Sequence, residues 1–227
     1  MTIHSVGVDG FAKGWVAVEL RADAFVRAWV APTLATLLAG VPPVARIGVD
    51  IPLGGLDSEW RTADRAAKAL LGGKHASVFS VPPRAVWDAD SHASANRLCR
   101  QLTGMGVSVQ AWGLMPKVRE ADLYREAGPH KLFEVHPELV FATLAGERLA
   151  YGKKTWNGQA TRRALLARVG VVLPDDLGLA GVAPVDDVLD AGAVAWCAYQ
   201  IGLDTARRVP DPPDQNDPAG HPIVIWY

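Results

Sequence analysis

Short apolar runs separated by tight turns fill the first part of the chain. The runs cover residues 5–10, 14–20 and 25–30. Their length and their alternating or continuous apolar character are typical of strands. Three such strands joined by tight turns predict an antiparallel meander.

A short helix and a fourth strand follow the meander. Residues 33–39 have the length and apolar spacing of a helix that Pro42 ends. The segment 46–52, RIGVDIP, predicts a buried strand that Pro52 terminates. A strand that returns after a helix lies parallel to the first one. The pattern therefore predicts a mixed α/β sheet in which the meander is extended by parallel strands.

The middle of the chain changes to helical periodicity. Helical spacing appears at residues 59–71, 93–102 and 119–127, with Gly and Pro between these segments. We interpret residues 57–128 as a helical insertion laid over the end of the sheet, within one domain that spans residues 1–227. Most of its charges are expected on solvated helix faces.

The second half predicts one more inner strand and a buried helix. Residues 132–137, LFEVHP, are typical of a strand that ends at its proline, and residues 223–227 of a final strand. Residues 186–202 are apolar all round beyond the first turn, so this helix is expected to be buried. Its small residues form a stripe that allows close approach to a sheet: Ala191, Ala195, Ala198 and Gly202.

Composition limits the classes of protein that need to be considered. With 227 residues, 49% of them hydrophobic, the chain can bury a core of its own. The net charge of −1 gives no overall attraction to nucleic acid, so any such surface must be local. The two cysteines lack metal-type spacing, and we find neither a signal peptide nor a run of roughly 18 apolar residues. We therefore expect a cytoplasmic protein without a membrane partner.

Acidic residues recur where the predicted strands end. Asp9 ends the first run, Asp50 ends RIGVD, and Glu134 lies within LFEVHP. Ligand sites in open sheets form outside the carboxyl ends of parallel strands, so these side chains are expected to converge. The alternative for Asp9 is that it only accepts hydrogen bonds from amides of its own turn.

The predicted buried helix carries further carboxylates at its start. Asp187 and Asp190 are three residues apart and share one face, whereas Asp186 is expected to cap the helix and point away. Acids in a first turn also interact favourably with the helix dipole, which is the simpler explanation for some of them. With the strand-end acids, the sequence predicts a five-carboxylate cluster, which needs cations to remain ionised.

A cluster of oxygen ligands without Cys or His spacing selects hard cations, so Mg²⁺ or Mn²⁺ is the predicted cofactor. Two such ions about 4 Å apart are the usual device for attack of water on a phosphodiester. The cluster therefore favours a two-metal site and a catalytic role for its carboxylates.

A locally basic segment follows the third acidic strand. Residues 147–170 contain six basic residues and one acidic residue, and they include the run YGKKTWNGQATRR. We expect a mobile loop and a helix that starts near Gln159, with four cations in contact with phosphates: Lys153, Lys154, Arg162 and Arg163. A plain solvated loop is the alternative.

Together these motifs resemble a known family. The set GVDGFAKGWV, VDIPLG, SVFSVPPR, QAWGLMPKVREAD, FEVHPEL, GKKTWNGQATRR and DDVLDA is similar to the bacterial family called domain of unknown function 429, whose members are described as predicted RNase H-like nucleases. The resemblance implies an RNase H-like fold with a five-stranded mixed sheet flanked by helices. It also implies an acidic site of five residues: Asp9, Asp50, Glu134, Asp187 and Asp190.

The resemblance further suggests roles for Lys117, as a substrate contact, and for Glu120 and Asp122, whose chemistry remains open, as does that of His136. A metal-dependent nuclease acting on DNA or RNA is the function it favours. One alternative is an ATP-dependent phosphotransferase of the actin and sugar-kinase superfamily, which needs two copies of this core. Another is a nucleic-acid-binding protein that lost catalysis. Substrate structure, sequence preference and oligomeric state are left open.

Overall fold

The computed structural model describes residues 3–72 and 77–227, so residues 73–76 of the predicted insertion lie outside the described residues. The chain is an α/β protein with a five-stranded mixed sheet and flanking helices. The strands are β1 (His4–Phe11), β2 (Gly14–Arg21), β3 (Ala24–Ala31), β4 (Arg46–Asp50), β5 (Leu132–Glu134), β6 (Arg208–Val209) and β7 (Ile225–Trp226). The helices are α1 (Leu34–Leu38), α2 (Thr62–Leu71), α3 (His92–Thr103), α4 (Val109–Ala127), α5 (Pro137–Ala145), α6 (Trp156–Arg168) and α7 (Val185–Gly202).

The main sheet has the strand order β3-β2-β1-β4-β5. Strands β1, β2 and β3 pair in antiparallel fashion, and β4 and β5 extend the sheet parallel to β1. This is the mixed sheet that the resemblance predicts, and it is consistent with an RNase H-like fold. Among the described residues a five-stranded sheet of this kind occurs once, whereas the actin and sugar-kinase superfamily needs two copies of the core.

Helix α7 packs directly on the sheet because two glycines, Gly7 of β1 and Gly48 of β4, face the helix. A Cβ atom at Gly7 would lie 2.0 Å from the carbonyl oxygen of Ala191 and 2.1 Å from the backbone nitrogen of Ala195. A Cβ at Gly48 of β4 would lie 2.7 Å from a methyl group of Val194. The predicted small-residue stripe thus does contact the sheet, and it brings the helix backbone unusually close to β1. This close approach positions the acidic first turns of α7.

The chain divides into two compact units. The first contains residues 1–51, 124–207 and 226–227, and the second contains residues 52–123 and 208–225. The second unit thus also includes a segment near the C-terminus, outside the predicted insertion.

Local sequence features account for several helix boundaries. The side chain of Thr33 caps α1 and that of Ser91 caps α3, each through a backbone N–H three residues on. Helix α4 is ten residues longer at its start than the predicted segment, with Pro116 inside it. None of the helices in the described residues is long and apolar enough to cross a bilayer.

Candidate metal centre

Three aspartates converge at one edge of the main sheet. Asp9 ends β1 and is the register partner of Asp50 at the end of β4, so the two side chains project from the same face. That face is the one covered by α7, which contributes Asp190. Each of the three offers a carboxylate oxygen within 4.8 Å of the others. The predicted convergence of β1, β4 and α7 is therefore present in the structure.

Burial makes this group electrostatically unfavourable without a cation. Asp9 and Asp190 are almost fully buried, and Asp50 is partly buried. Burial raises the pKa of Asp9 well above its ordinary value, and repulsion from Asp50 adds to the rise. Burial likewise raises the pKa of Asp50 to about 7 and that of Asp190 to about 7. At neutral pH these carboxyl groups hold protons more tightly than exposed aspartates do, which is the expected response of clustered acids.

Lys153 enters this cluster. Its Nζ lies 2.5 Å from Oδ2 of Asp190 and 4.0 Å from Oδ2 of Asp186. Burial alone would lower the pKa of Lys153, but attraction to Asp190 and Asp50 together raises it well above its ordinary value. The sequence predicts that Lys153 contacts substrate phosphates, whereas the structure places its ammonium among the carboxylates of the protein itself.

Two aspartates of the first turns of α7 lie beside the centre. Asp187 is partly buried and close enough to raise the pKa of both Asp9 and Asp50 by repulsion. The prediction that Asp186 caps the helix and points away is wrong. The N-cap is Pro184, one residue before the helix begins, and Asp186 is buried with its carboxylate toward Lys153.

Glu134 differs from the expectation because of strand register. It pairs with Val49 rather than with Asp50, and side chains alternate between the faces of a sheet. Its side chain therefore projects from the face opposite to that of Asp9 and Asp50, although it is buried. The acid near the centre from this part of the chain is Glu138, in the first turn of α5. Its repulsion raises the pKa of Asp50 and of Asp190. The motif FEVHPEL contains Glu138, but nothing in its spacing distinguishes it from an ordinary first-turn acid.

The other predicted basic residues have different surroundings. Arg162 is fully buried and forms an ion pair with Glu138, so its guanidinium is enclosed by protein. Arg163 is half exposed and bonds to Asp175 at 2.5 Å. Lys154 is exposed. Helix α6 also begins earlier than expected, at Trp156, with Thr155 as its side-chain cap.

The structure also places the residues whose roles the sequence left open. Asp122 is buried on α4, and its Oδ1 accepts a hydrogen bond from the backbone N–H of Gly54 at 2.8 Å, so it braces the loop that follows β4. Lys117 and Glu120 are partly exposed on the same helix. His136 is the N-cap residue of α5, where its backbone carbonyl accepts the first helical hydrogen bonds.

The donor set of the centre fits a hard divalent cation. Asp9, Asp50 and Asp190 supply only oxygen, the ligand atom that Mg²⁺ and Mn²⁺ prefer. Oδ1 of Asp190 is buried and accepts no hydrogen bond from any described residue. One oxygen of Asp9 accepts the N–H of Gly10 at 2.6 Å, so binding to its own turn explains only that oxygen. A buried carboxylate oxygen that accepts no hydrogen bond can bind a cation without losing another partner, and within the described part of the chain Oδ1 of Asp190 is such an atom.

Comparison with known proteins gives one match. A family model described as "Protein of unknown function (DUF429)" matches residues 7–215. The matched range contains Asp9, Asp50 and Asp190, together with Lys153. No curated protein and no solved structure matches the chain.

Proposed function

The chain belongs to the DUF429 family, and from this premise and the geometry of its carboxylates we propose that it is a divalent-metal-dependent nuclease. The proposed reaction is hydrolysis of phosphodiester bonds in nucleic acid. The observation that carries the proposal is the convergence of Asp9, Asp50 and Asp190 at the carboxyl ends of β1 and β4. Carboxylate centres in this position of an α/β sheet are suited to ligand binding.

The proposed roles follow from the contacts of each residue. Asp9, Asp50 and Asp190 would hold Mg²⁺ or Mn²⁺. Asp187, whose charge raises the pKa of Asp9 and of Asp50, is the residue that we propose to orient water at the centre. We leave Glu134 out of the ligand set because its side chain projects from the opposite face. When bound, such a cation supplies charge neutralisation and Lewis-acid activation for attack of water on a phosphodiester.

Nucleic acid is the proposed substrate class because a divalent cation held by carboxylates is suited to hydrolysis of phosphodiester bonds. The acidic centre repels phosphate until a cation is present, so the reaction should require the metal. Exposed Lys154 and half-exposed Arg163 are the proposed backbone contacts within the basic segment, since Lys153 and Arg162 are engaged inside the protein. Neutralising Lys154 and Arg163 together should flatten the dependence of nucleic-acid affinity on salt. An unchanged slope would mean that this segment does not contact the substrate.

The test of the proposal is a cleavage assay with the full chain. Labelled single-stranded, duplex and branched DNA and RNA are incubated with chelator, Mg²⁺ or Mn²⁺, and ATP is assayed in parallel. We expect cleavage of at least one polynucleotide with metal and none with chelator. Asp9→Asn should abolish cleavage, whereas Asp57→Asn, at an exposed position in a loop, should leave it unchanged.

Two results would reject the nuclease. Metal-dependent release of phosphate from ATP, without cleavage of any polynucleotide, would favour the phosphotransferase alternative. Binding of a polynucleotide without cleavage under every metal condition would favour the non-catalytic alternative.

A further inference from the structure

The turn that carries Lys153 is tightly built. The backbone N–H of Thr155 donates to the carbonyl oxygen of Gly152 at 3.0 Å, and its hydroxyl donates to the same oxygen at 2.9 Å. That hydroxyl also accepts the N–H of Gly158 at 3.1 Å. A Cβ atom at Gly158 would lie 2.0 Å from the Gly152 oxygen, so only glycine fits there. Gly152 and Thr155 are therefore fixed against the first turn of α6.

Arg162 stabilises the same turn through hydrogen bonds from its buried guanidinium. Its Nη1 donates to the carbonyl oxygens of Tyr151 at 3.2 Å and of Gly158 at 3.0 Å. Its Nε donates to Oε1 of Glu138 at 3.2 Å, which ties the turn to α5 as well. A fully buried guanidinium is costly unless all of these contacts are made. The backbone on both sides of Lys153 is thus held by α5 and α6.

This arrangement places the Lys153 ammonium in contact with one oxygen of Asp190. The ammonium of Lys153 lies 2.5 Å from Oδ2, while Oδ1 of the same carboxylate is buried and has no donor among the described residues. In a two-metal centre a shared carboxylate presents one oxygen to each ion. Here one of the two oxygens already has a cationic partner.

We propose that Lys153 is a resident cation of the acidic centre, which occupies the position of a second metal ion, so that the centre binds one divalent ion. This inference rests on the proposed function and replaces the two-metal site that the sequence predicts. The ammonium neutralises one of the carboxylate charges of the centre, so it supplies part of the positive charge that a second metal ion would otherwise supply. The turn held by Gly158 and Arg162 is the device that positions the ammonium.

The experiment is calorimetric titration of the full chain with Mn²⁺ at pH 7.5. The wild type, Lys153→Met and Lys154→Met are compared, with circular dichroism to verify folding. Lys154 is the matched control because it is the next residue of the same turn and is exposed. We expect one Mn²⁺ per chain for the wild type and for Lys154→Met. We expect two for Lys153→Met, with the first ion bound on the order of tenfold more tightly because a nearby like charge is gone.

A second variant tests the turn without removing the ammonium. Gly158→Ala forces the Gly152 carbonyl away and should move Lys153 out of the centre, so this variant should also gain a second Mn²⁺. Two ions in the wild type would overturn the inference, and that measurement requires no variant. A single ion in both Lys153→Met and Gly158→Ala would also overturn it. No Mn²⁺ in the wild type and one in Lys153→Met would overturn it as well, because the ammonium would then take the place of the single divalent ion that the inference assigns to the wild type. A wild type that binds one Mn²⁺ but cuts no polynucleotide would reject the nuclease while leaving this inference standing.

Discussion

Replacing Asp50 by Asn should stabilise the metal-free protein, and the gain should depend on pH. Loss of solvation at its partly buried position raises the pKa of Asp50 from the ordinary value of 3.8 to about 7 in the folded protein. The folded state therefore retains this proton to higher pH than the unfolded chain does. The associated stability is fully present below about pH 4 and is lost as the pH rises through 7.

The size of the effect follows from the shift. The rise of the Asp50 pKa from 3.8 to about 7 corresponds to a loss of about 4 kcal/mol in the free energy of unfolding of the wild type above pH 8. This is the upper bound for one group. Asp9 and Asp190 titrate together with Asp50 and take up protons in its place, so we expect about half of that bound, ~2 kcal/mol. At pH 4 the gain should fall to about 0.5 kcal/mol, since Asp50 is then protonated in the folded state and partly protonated in the unfolded chain.

Urea unfolding in chelator at pH 4 and pH 8 measures this gain directly. The free energy of unfolding of Asp50→Asn is compared with that of the wild type, and Asp57→Asn serves as the control because that side chain is exposed. The control should change stability by less than about 0.5 kcal/mol at either pH. Equal stability of Asp50→Asn and wild type at pH 8 would refute the reasoning, as would a difference that is the same at both pH values.

Three further predictions concern packing, the buried ion pair and metal binding. Gly7→Ala should cost about 3 kcal/mol or more in urea unfolding because its Cβ would meet the backbone of α7, whereas Gly40→Ala, with nothing near its Cβ, should be close to neutral. Arg162→Ala should cost about 3–5 kcal/mol because Glu138 loses its buried partner, and Arg163→Ala should cost less than about 1 kcal/mol. Mn²⁺ at about 100 times its dissociation constant should raise the wild-type melting temperature by about 5–10 °C and leave that of Asp50→Asn nearly unchanged.

The sheet and its main acidic residues could be predicted because their signals are local. Alternation and turns mark β1 to β3, and Asp9 and Asp50 each follow a run of buried residues. The small residues of α7 predict its close packing on Gly7. Local patterns did not predict the first half of α4, because Gly113 and Pro116 lie inside it and both residue types disfavour a helix.

The composition of the centre depends on register and on long-range contacts, which sequence patterns do not encode. Shifting the pairing of β5 by one residue would move Glu134 to the other face of the sheet, and only the folded sheet determines that register. The position of the Lys153 ammonium depends on how its turn packs against α6 and α7. A basic run beside an acidic site predicts attraction, but it does not distinguish a substrate contact from an internal counter-ion.

The most direct test of the account is a crystal structure of the full chain soaked in Mn²⁺, with anomalous data that identify the metal. The account predicts anomalous density bounded by Asp9, Asp50 and Asp190, with carboxylate oxygens about 2.1 Å from it. The ammonium of Lys153 should remain in contact with Oδ2 of Asp190. Density at other carboxylates, or none at these three when Mn²⁺ is in large excess, would contradict the assignment of the metal centre.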